Sequence, residues 1–281
     1  MPTIIESTIN PWVWGIYNLF QNGLLRTVMH GVAADERTAA LLVGLGLLLC
    51  FACAYLLGSV NFALVISRLF YHDDIRKHGS GNAGATNMAR TYGKKAALFT
   101  FLCDGLKGVI SVLIACAVFG CPPGERYYIF LVTAAYFSAF FCSLGHVFPC
   151  FAHFHGGKGF ATTALSILAL NPVVGGILCF VFFPLVLLSK YVSLGSVVTV
   201  LFYPVMLSTF DSMPKSTHYG VSTLVACLIA ALVTWAHRGN LKRISEGTER
   251  KLEFHRRRVV TSEPAQEDDG DAPDADGQDK E

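Results

Sequence analysis

The chain has 281 residues, 53% of them hydrophobic and only 15% charged, with a mean hydropathy of +0.48. At that balance, apolar runs of about twenty residues exclude a soluble domain and point to a polytopic membrane protein. The net charge of +2 hides a segregation: residues 263–281 hold nine acids against Lys280, leaving the rest clearly basic and suited to anionic lipid or an anionic substrate.

Met1–Asn10 lacks the basic start of a cleaved signal peptide, so the first span is expected to persist in the mature protein. Residues 11–31, with Trp12, Trp14, Tyr17, Phe20 and Leu24, read as an interfacial amphipathic helix within an N-terminal extension over 1–38. Seven apolar runs follow, near 39–69, 96–120, 127–148, 157–171, 172–190, 193–210 and 219–236. They predict an all-α, polytopic membrane helix bundle of about seven transmembrane helices within a domain spanning 39–258.

The stretch from Phe160 to Leu188 reads either as one long tilted span or as two shorter ones broken at Asn171–Pro172. Charge decides between them. Residues 68–95 carry six Lys/Arg and 237–258 carry eight, whereas the opposite ends of the same runs offer Arg126 and Lys215. The positive-inside rule puts both rich segments in the cytoplasm. Starting and ending on one side needs an even number of crossings, which requires the split at Pro172, where a regular helix cannot continue. The N-terminus is then outside and the C-terminus cytoplasmic. Residues 259–281 form an acidic tail; beyond Glu263 it has no aromatic or β-branched residue, cannot bury apolar area and is expected to be disordered. Most cysteines lie inside apolar runs and read as buried hydrophobes. Cys50 and Cys53 have a paired spacing but no second pair nearby, so neither a disulfide framework nor a metal is inferred.

Four polar segments interrupt the apolar pattern. Gly79 to Arg90 read GSGNAGATNMAR. Glycines let backbone N–H groups converge; Ser80, Asn82, Thr86 and Asn87 add neutral donors, and Arg90 adds a planar cation, a set that suits a phosphate ester. Gly145-His146 and then Gly156-Gly157-Lys158-Gly159 open the next apolar run, placing N–H groups and an ammonium at a positive helix end. Walker A spacing is absent there, and a flexible turn with a membrane-edge lysine is the alternative. The third segment runs from Lys190 to Ser196, with Ser193 as an anion contact or an ordinary N-cap. The fourth holds His237, Asn240, Arg243 and Glu249; His237 and Asn240 share one face if the last helix continues that far. Inside the second span, Asp104 and Lys107 can pair at three-residue spacing, either as structural support or as substrate contacts.

These motifs, in this order, resemble the PlsY family, the acyl-phosphate:glycerol-3-phosphate acyltransferases of bacterial membranes. The resemblance covers roughly residues 55–250, from GSVNFALVISRLF through GHVFPCFAHFHGGKGFATTA and KYVSLGS to HRGNLKRISEGTE. Asn61 departs from a usual proline, and Gly239 from a commonly acidic position. The resemblance implies transfer of a fatty acyl group from acyl phosphate to the sn-1 hydroxyl of glycerol 3-phosphate, giving 1-acyl-glycerol 3-phosphate and phosphate. It implies substrate binding by Ser80, Asn82, Thr86, Asn87, Arg90, Gly156, Gly157, Lys158, Gly159 and Ser193, completed by His237 and Asn240. Ser80, Arg90, Lys158, His237 and Asn240 are the candidate catalytic contacts, and Asp104, Lys107, His146 and Glu249 are candidate structural supports. His237 is the nearest general base, although the departing phosphate oxygens can also take the hydroxyl proton. No cofactor, metal or nucleic-acid partner is expected. The implied partners are membrane lipids and a soluble enzyme producing acyl phosphate, and the implied location is the bacterial inner membrane, with the active site facing the cytoplasm. A His-x4-Asp match at His30 and Asp35 lies far from every phosphate motif and is rejected. A transporter of anionic solutes would use Asp104, Lys107 and the Asn171–Pro172 break, but the polar motifs crowd one membrane face rather than the midplane.

Overall fold

The computed structural model describes residues 23–25, 28, 35–120, 128–210 and 219–252, all helix, turn or loop with no strand among them. The acidic tail and most of the expected interfacial helix lie outside the described residues.

Helix α1 (Glu36–Ser59) starts where Asp35 Oδ1 accepts from Thr38 N at 2.9 Å, with Glu36 in the positive first turn. Asp35 of the rejected His30–Asp35 spacing is thus a helix cap. The buried positions of α1 include Val43, Gly46, Cys50, Ala54 and Gly58, spaced three and four apart. They form one face, while Leu41, Leu45, Leu48 and Leu56 are exposed on the others. In water that exposure would be costly; in hydrocarbon it costs nothing.

After a break at Val60–Asn61 come α2 (Phe62–Tyr71), a 3-10 turn (Ile75–Lys77), α3 (Ala85–Thr91) and α4 (Lys94–Phe119). α5 (Tyr128–Val147) packs against α1, α4, α6 and α9. In the most apolar stretch of its span 61% of residues are buried, against 22% for the first span, so α5 is the core of the bundle. A second 3-10 turn (Cys150–Ala152) leads to α6 (Phe160–Leu170), α7 (Pro172–Ser189), α8 (Val192–Phe210), α9 (Tyr219–Ala236) and α10 (Arg238–Ser245).

The break at Asn171–Pro172 is present. Asn171 Oδ1 accepts from Val174 N at 3.1 Å, capping α7, and Pro172 occupies its first turn. All seven expected apolar segments are helical. Five described segments are long and apolar enough to cross a membrane alone, the first being α1 continued into α2, and α9 with α10 makes a sixth across a 56° bend. α6 is shorter: its 11 residues reach about 16 Å, roughly half the hydrocarbon thickness.

Close backbone approach joins α1 to α5. A methyl group on Gly58 would lie 2.1 Å from Cys142 O, and one on Gly145 would lie 2.2 Å from Tyr55 O. Both positions therefore need the smallest residue. This crossing brings the loop after α2 beside the loop after α5, at the end of the bundle where α8 and α10 also begin and end their polar segments.

Candidate active site

The first polar loop is held from within. Asn87, 1% exposed, accepts from Ser80 N through Oδ1 at 3.0 Å and donates through Nδ2 to Ile75 O at 3.1 Å and His78 O at 2.9 Å. Both its amide hydrogens are used, so Asn87 shapes the loop. Gly79 sits at φ +60° against it, where an added methyl would lie 2.1 Å from Asn87 Oδ1. Asp74 binds Arg76 at 2.7 Å and Arg68 at 3.3 Å, and these bonds hold its carboxyl far below the usual range against the opposing effect of burial. Arg90 stands on α3, one turn after Thr86, and donates to Arg250 O at 3.2 Å.

The second loop departs from expectation. Gly156 and Gly157 do not line the cavity; they pack behind it on His146. A methyl on Gly156 would lie 2.1 Å from His146 O, and Gly157 N donates to that carbonyl at 3.1 Å. Gly159, at φ +78°, turns the chain into α6 and does line the cavity. Lys158 Nζ donates to Asn240 Oδ1. Burial lowers its ammonium to about 8, with Arg243 and Arg90 adding to the fall and Glu249 opposing it.

Ser193 lies inside α8 and does not cap it; its hydroxyl donates to Glu249 Oε1 at 3.1 Å. Glu249 is the hub of the fourth segment. Asn240 Nδ2 donates to Oε1 at 2.6 Å and Arg243 Nε to Oε2 at 2.7 Å. Burial raises its carboxyl, but the bonds from Asn240, Arg243 and Ser193 outweigh that and hold it below the usual value. A relay therefore runs from Lys158 through Asn240 to Glu249 and Arg243, fixing which way the Asn240 amide points.

The last helix does not run straight. It breaks at His237, between α9 and α10. His237 Nδ1 lies 2.8 Å from Val233 O, and a carbonyl can only accept, so Nδ1 carries the hydrogen. Nε2 is left with its lone pair, able to take a proton.

Asp104 and Lys107 are 2% and 1% exposed and pair at 3.0 Å. Lys107 points away from the cavity, to Gly58 O, Val60 O and His146 Nδ1. This favours support over direct contact for the lysine. Asp104 and His146 reach the cavity wall.

The structure brings the remaining candidates together around one cavity of about 500 Å³. Ser80, Asn82, Thr86, Asn87, Arg90, Lys158, Gly159, Ser193, His237, Asn240 and Glu249 all line it. Its other wall is apolar, from Phe101 on α4, Leu165 and Leu168 on α6, Leu178 and Phe182 on α7 and Val200 on α8. Sequence reasoning missed that wall, because cavity-facing and lipid-facing residues are equally apolar. It also missed Arg250, counted only as part of a basic terminus, and Leu252; both line the cavity, and Leu252 N donates to Lys190 O at 2.7 Å. No cluster of metal-binding side chains occurs among the described residues.

Comparison with known proteins places these features in a family. The profile of the family described as "Glycerol-3-phosphate acyltransferase" matches residues 48–247. The chain is similar to glycerol-3-phosphate acyltransferase 2 of Bacillus cereus, 41% identical over 209 residues covering 74% of this chain and 96% of the relative. It is 41% identical to glycerol-3-phosphate acyltransferase of Clostridioides difficile over 202 residues, 71% of this chain and 92% of that one. Its fold is similar to the crystal structure of PlsY (YgiH), an integral membrane glycerol 3-phosphate acyltransferase, in its glycerol 3-phosphate form. The TM-score is 0.64 at 33% identity, covering 74% of this chain and 96% of that chain. The lysophosphatidic acid form of that protein gives a TM-score of 0.62 at 32% identity, covering 74% and 95%.

Proposed function

The chain belongs to the glycerol-3-phosphate acyltransferase family, and from that membership we propose that it acylates the sn-1 hydroxyl of glycerol 3-phosphate from acyl phosphate. The products are 1-acyl-glycerol 3-phosphate and inorganic phosphate. One observation carries this reading: a single cavity joins a cationic polar end, with Arg90 and Lys158, to an apolar wall between α4, α6, α7 and α8. Such a cavity suits two phosphate-bearing reactants, one of which trails a hydrocarbon chain.

Arg90 and Lys158 neutralise phosphate, and Ser80, Asn82 and Thr86 orient its oxygens. Asn240 and Glu249 hold Lys158 in place, and Ser193 supports Glu249. The sn-1 oxygen attacks the acyl carbon, the carbon–oxygen bond to phosphate breaks, and phosphate leaves with that electron pair. The hydroxyl proton goes to His237 Nε2 or to a departing phosphate oxygen; the tautomer set by Val233 supports the first. A mixed anhydride is already activated, so positioning and charge stabilisation supply the acceleration.

The Lys/Arg asymmetry supports a bacterial inner-membrane orientation with this site facing the cytoplasm, where a soluble enzyme can deliver acyl phosphate. On the same reading, residues 39–258 are the catalytic domain, flanked by the 1–38 extension and the 259–281 tail. Purified protein in lipid nanodiscs, given glycerol 3-phosphate and either acyl phosphate, acyl-CoA or acyl carrier protein, tests the donor. Turnover with acyl phosphate, undiminished by a chelator, is expected. Turnover with acyl-CoA and none with acyl phosphate would overturn the proposal.

A further inference from the structure

The break in the first span at Val60–Asn61 is gripped by a buried ion pair whose Asp104 lines the cavity. The carbonyls of Gly58 and Val60 lie at the end of α1, and Lys107 donates to them at 2.8 and 2.7 Å. The N–H of Phe62, which opens α2, donates to Asp104 Oδ1 at 3.2 Å. One pair on α4 thus caps the end of one helix and the start of the next, each charge facing the helix end it complements. His146 ties in α5: its Nδ1 lies 2.9 Å from Lys107 Nζ, and beside an ammonium donor it acts as acceptor.

Asn61 carries this anchor outward to the substrate loops. Its Oδ1 accepts from Leu64 N at 3.1 Å as the cap of α2, while its Nδ2 donates to Ala83 O at 3.1 Å. Asn61 and Ala83 are 3% and 0% exposed, so no water substitutes for that bond. The same carbonyl faces the second glycine loop: a methyl on Gly157 would lie 2.6 Å from Ala83 O and 2.1 Å from His146 Nε2. Gly157 precedes Lys158, and Ala83 precedes the short helix that carries Arg90. The Ala83 carbonyl is where the two loops meet.

The geometry points to Asn61 as a positioning residue for glycerol 3-phosphate: through Ala83 it sets the separation of Arg90 from Lys158. This rests on the reading that those two cations hold substrate phosphate. Wild-type turnover of glycerol 3-phosphate and its loss in Arg90→Ala test that reading by themselves. Asn61→Ser and Asn61→Asp then test the inference, since both keep a good helix cap and both lose the amide donor. Aspartate also sets a carboxylate against the Ala83 carbonyl. The KM for glycerol 3-phosphate should rise about threefold in Asn61→Ser and about tenfold in Asn61→Asp, with the donor KM unchanged and the rise persisting when rates are normalised to folded protein, since the unpaired Ala83 carbonyl also lowers the unfolding midpoint. A capping role alone predicts that Asn61→Asp matches wild type. That result, parallel rises in both KM values, or activity lost only in proportion to folded protein would overturn the assignment.

Discussion

At the scale of single residues, the two cations should respond differently to exchange. Arg90 presents a planar fork that can bond two phosphate oxygens, which an ammonium cannot reproduce, so Arg90→Lys should lose most activity despite keeping its charge. Lys158 acts as a point charge aimed by Asn240, so Lys158→Arg should retain more. Lys158→Ala should cost about ten- to a hundredfold in kcat/KM, the loss of one charge-assisted bond. The acidity of Lys158 adds a pH signature. A lysine is charged below its pKa, and burial brings this one to about 8, so the free enzyme loses this cation, though not Arg90, as the pH rises through that value. The kcat/KM for glycerol 3-phosphate should fall above about pH 8, while the limb in kcat lies higher because bound phosphate favours the ammonium. In Lys158→Arg the limb should disappear, because guanidinium does not titrate there. Wild-type kinetics in folded Arg90→Ala or Lys158→Ala would show that these side chains do not hold the substrate.

Among the helices, the contact between α1 and α5 is the one least able to yield. Gly58 and Gly145 place backbone against backbone, and either methyl would fall near 2 Å from a carbonyl oxygen, at 2.1 and 2.2 Å. Gly145→Ala should therefore destabilise the solubilised protein by about 1–3 kcal/mol, read as a lower midpoint of thermal unfolding. Gly44→Ala is the internal control: it lies on α1, the other helix of this crossing, with no atom within 4 Å of an added methyl, and alanine is the better helix former. Its midpoint should match or slightly exceed wild type. Equal losses at both positions would mean that helix α1 is not held by this crossing. Gly58 also offers its carbonyl to Lys107, so one bond joins this crossing to the buried ion pair on α4.

For the whole molecule, the testable property is orientation. The cavity gathers side chains from four separate polar segments, so those segments share one end of the bundle. We expect that end to face the cytoplasm. Single cysteines at Lys77, Lys190 and Glu246, in protein lacking its native cysteines, should be shielded from an impermeant thiol reagent in intact cells, and one at Lys215 should react. Labelling of position 190 from outside would mean that α6 and α7 together cross only once. The short α6 makes this the sensitive measurement, since its 11 residues do not span the hydrocarbon alone.

Much of this architecture follows from composition along the chain. Apolar run lengths place the helices, Pro172 divides the ambiguous stretch because it lacks an N–H, and glycine-rich segments with Arg90 and Lys158 mark the segments proposed to hold phosphate. Asn87, Ser193 and His237 show where that kind of reading stops. Asn87 looked like a substrate donor, yet packing spends its amide on Ile75, His78 and Ser80. Ser193 reads as an anion contact or a cap; its hydroxyl goes to Glu249 at the cavity wall, while His237 sits at a bend that no proline or glycine at that position announces. Lys158 and Asn240 are 82 residues apart, and only the packing of their helices brings them into contact. The apolar wall of the cavity is the deepest case. In a bilayer, residues facing lipid and residues facing a neighbouring helix are both apolar, so hydropathy locates a helix but not its inward face. Contact between helices decides that, and with it the groove proposed for the acyl chain.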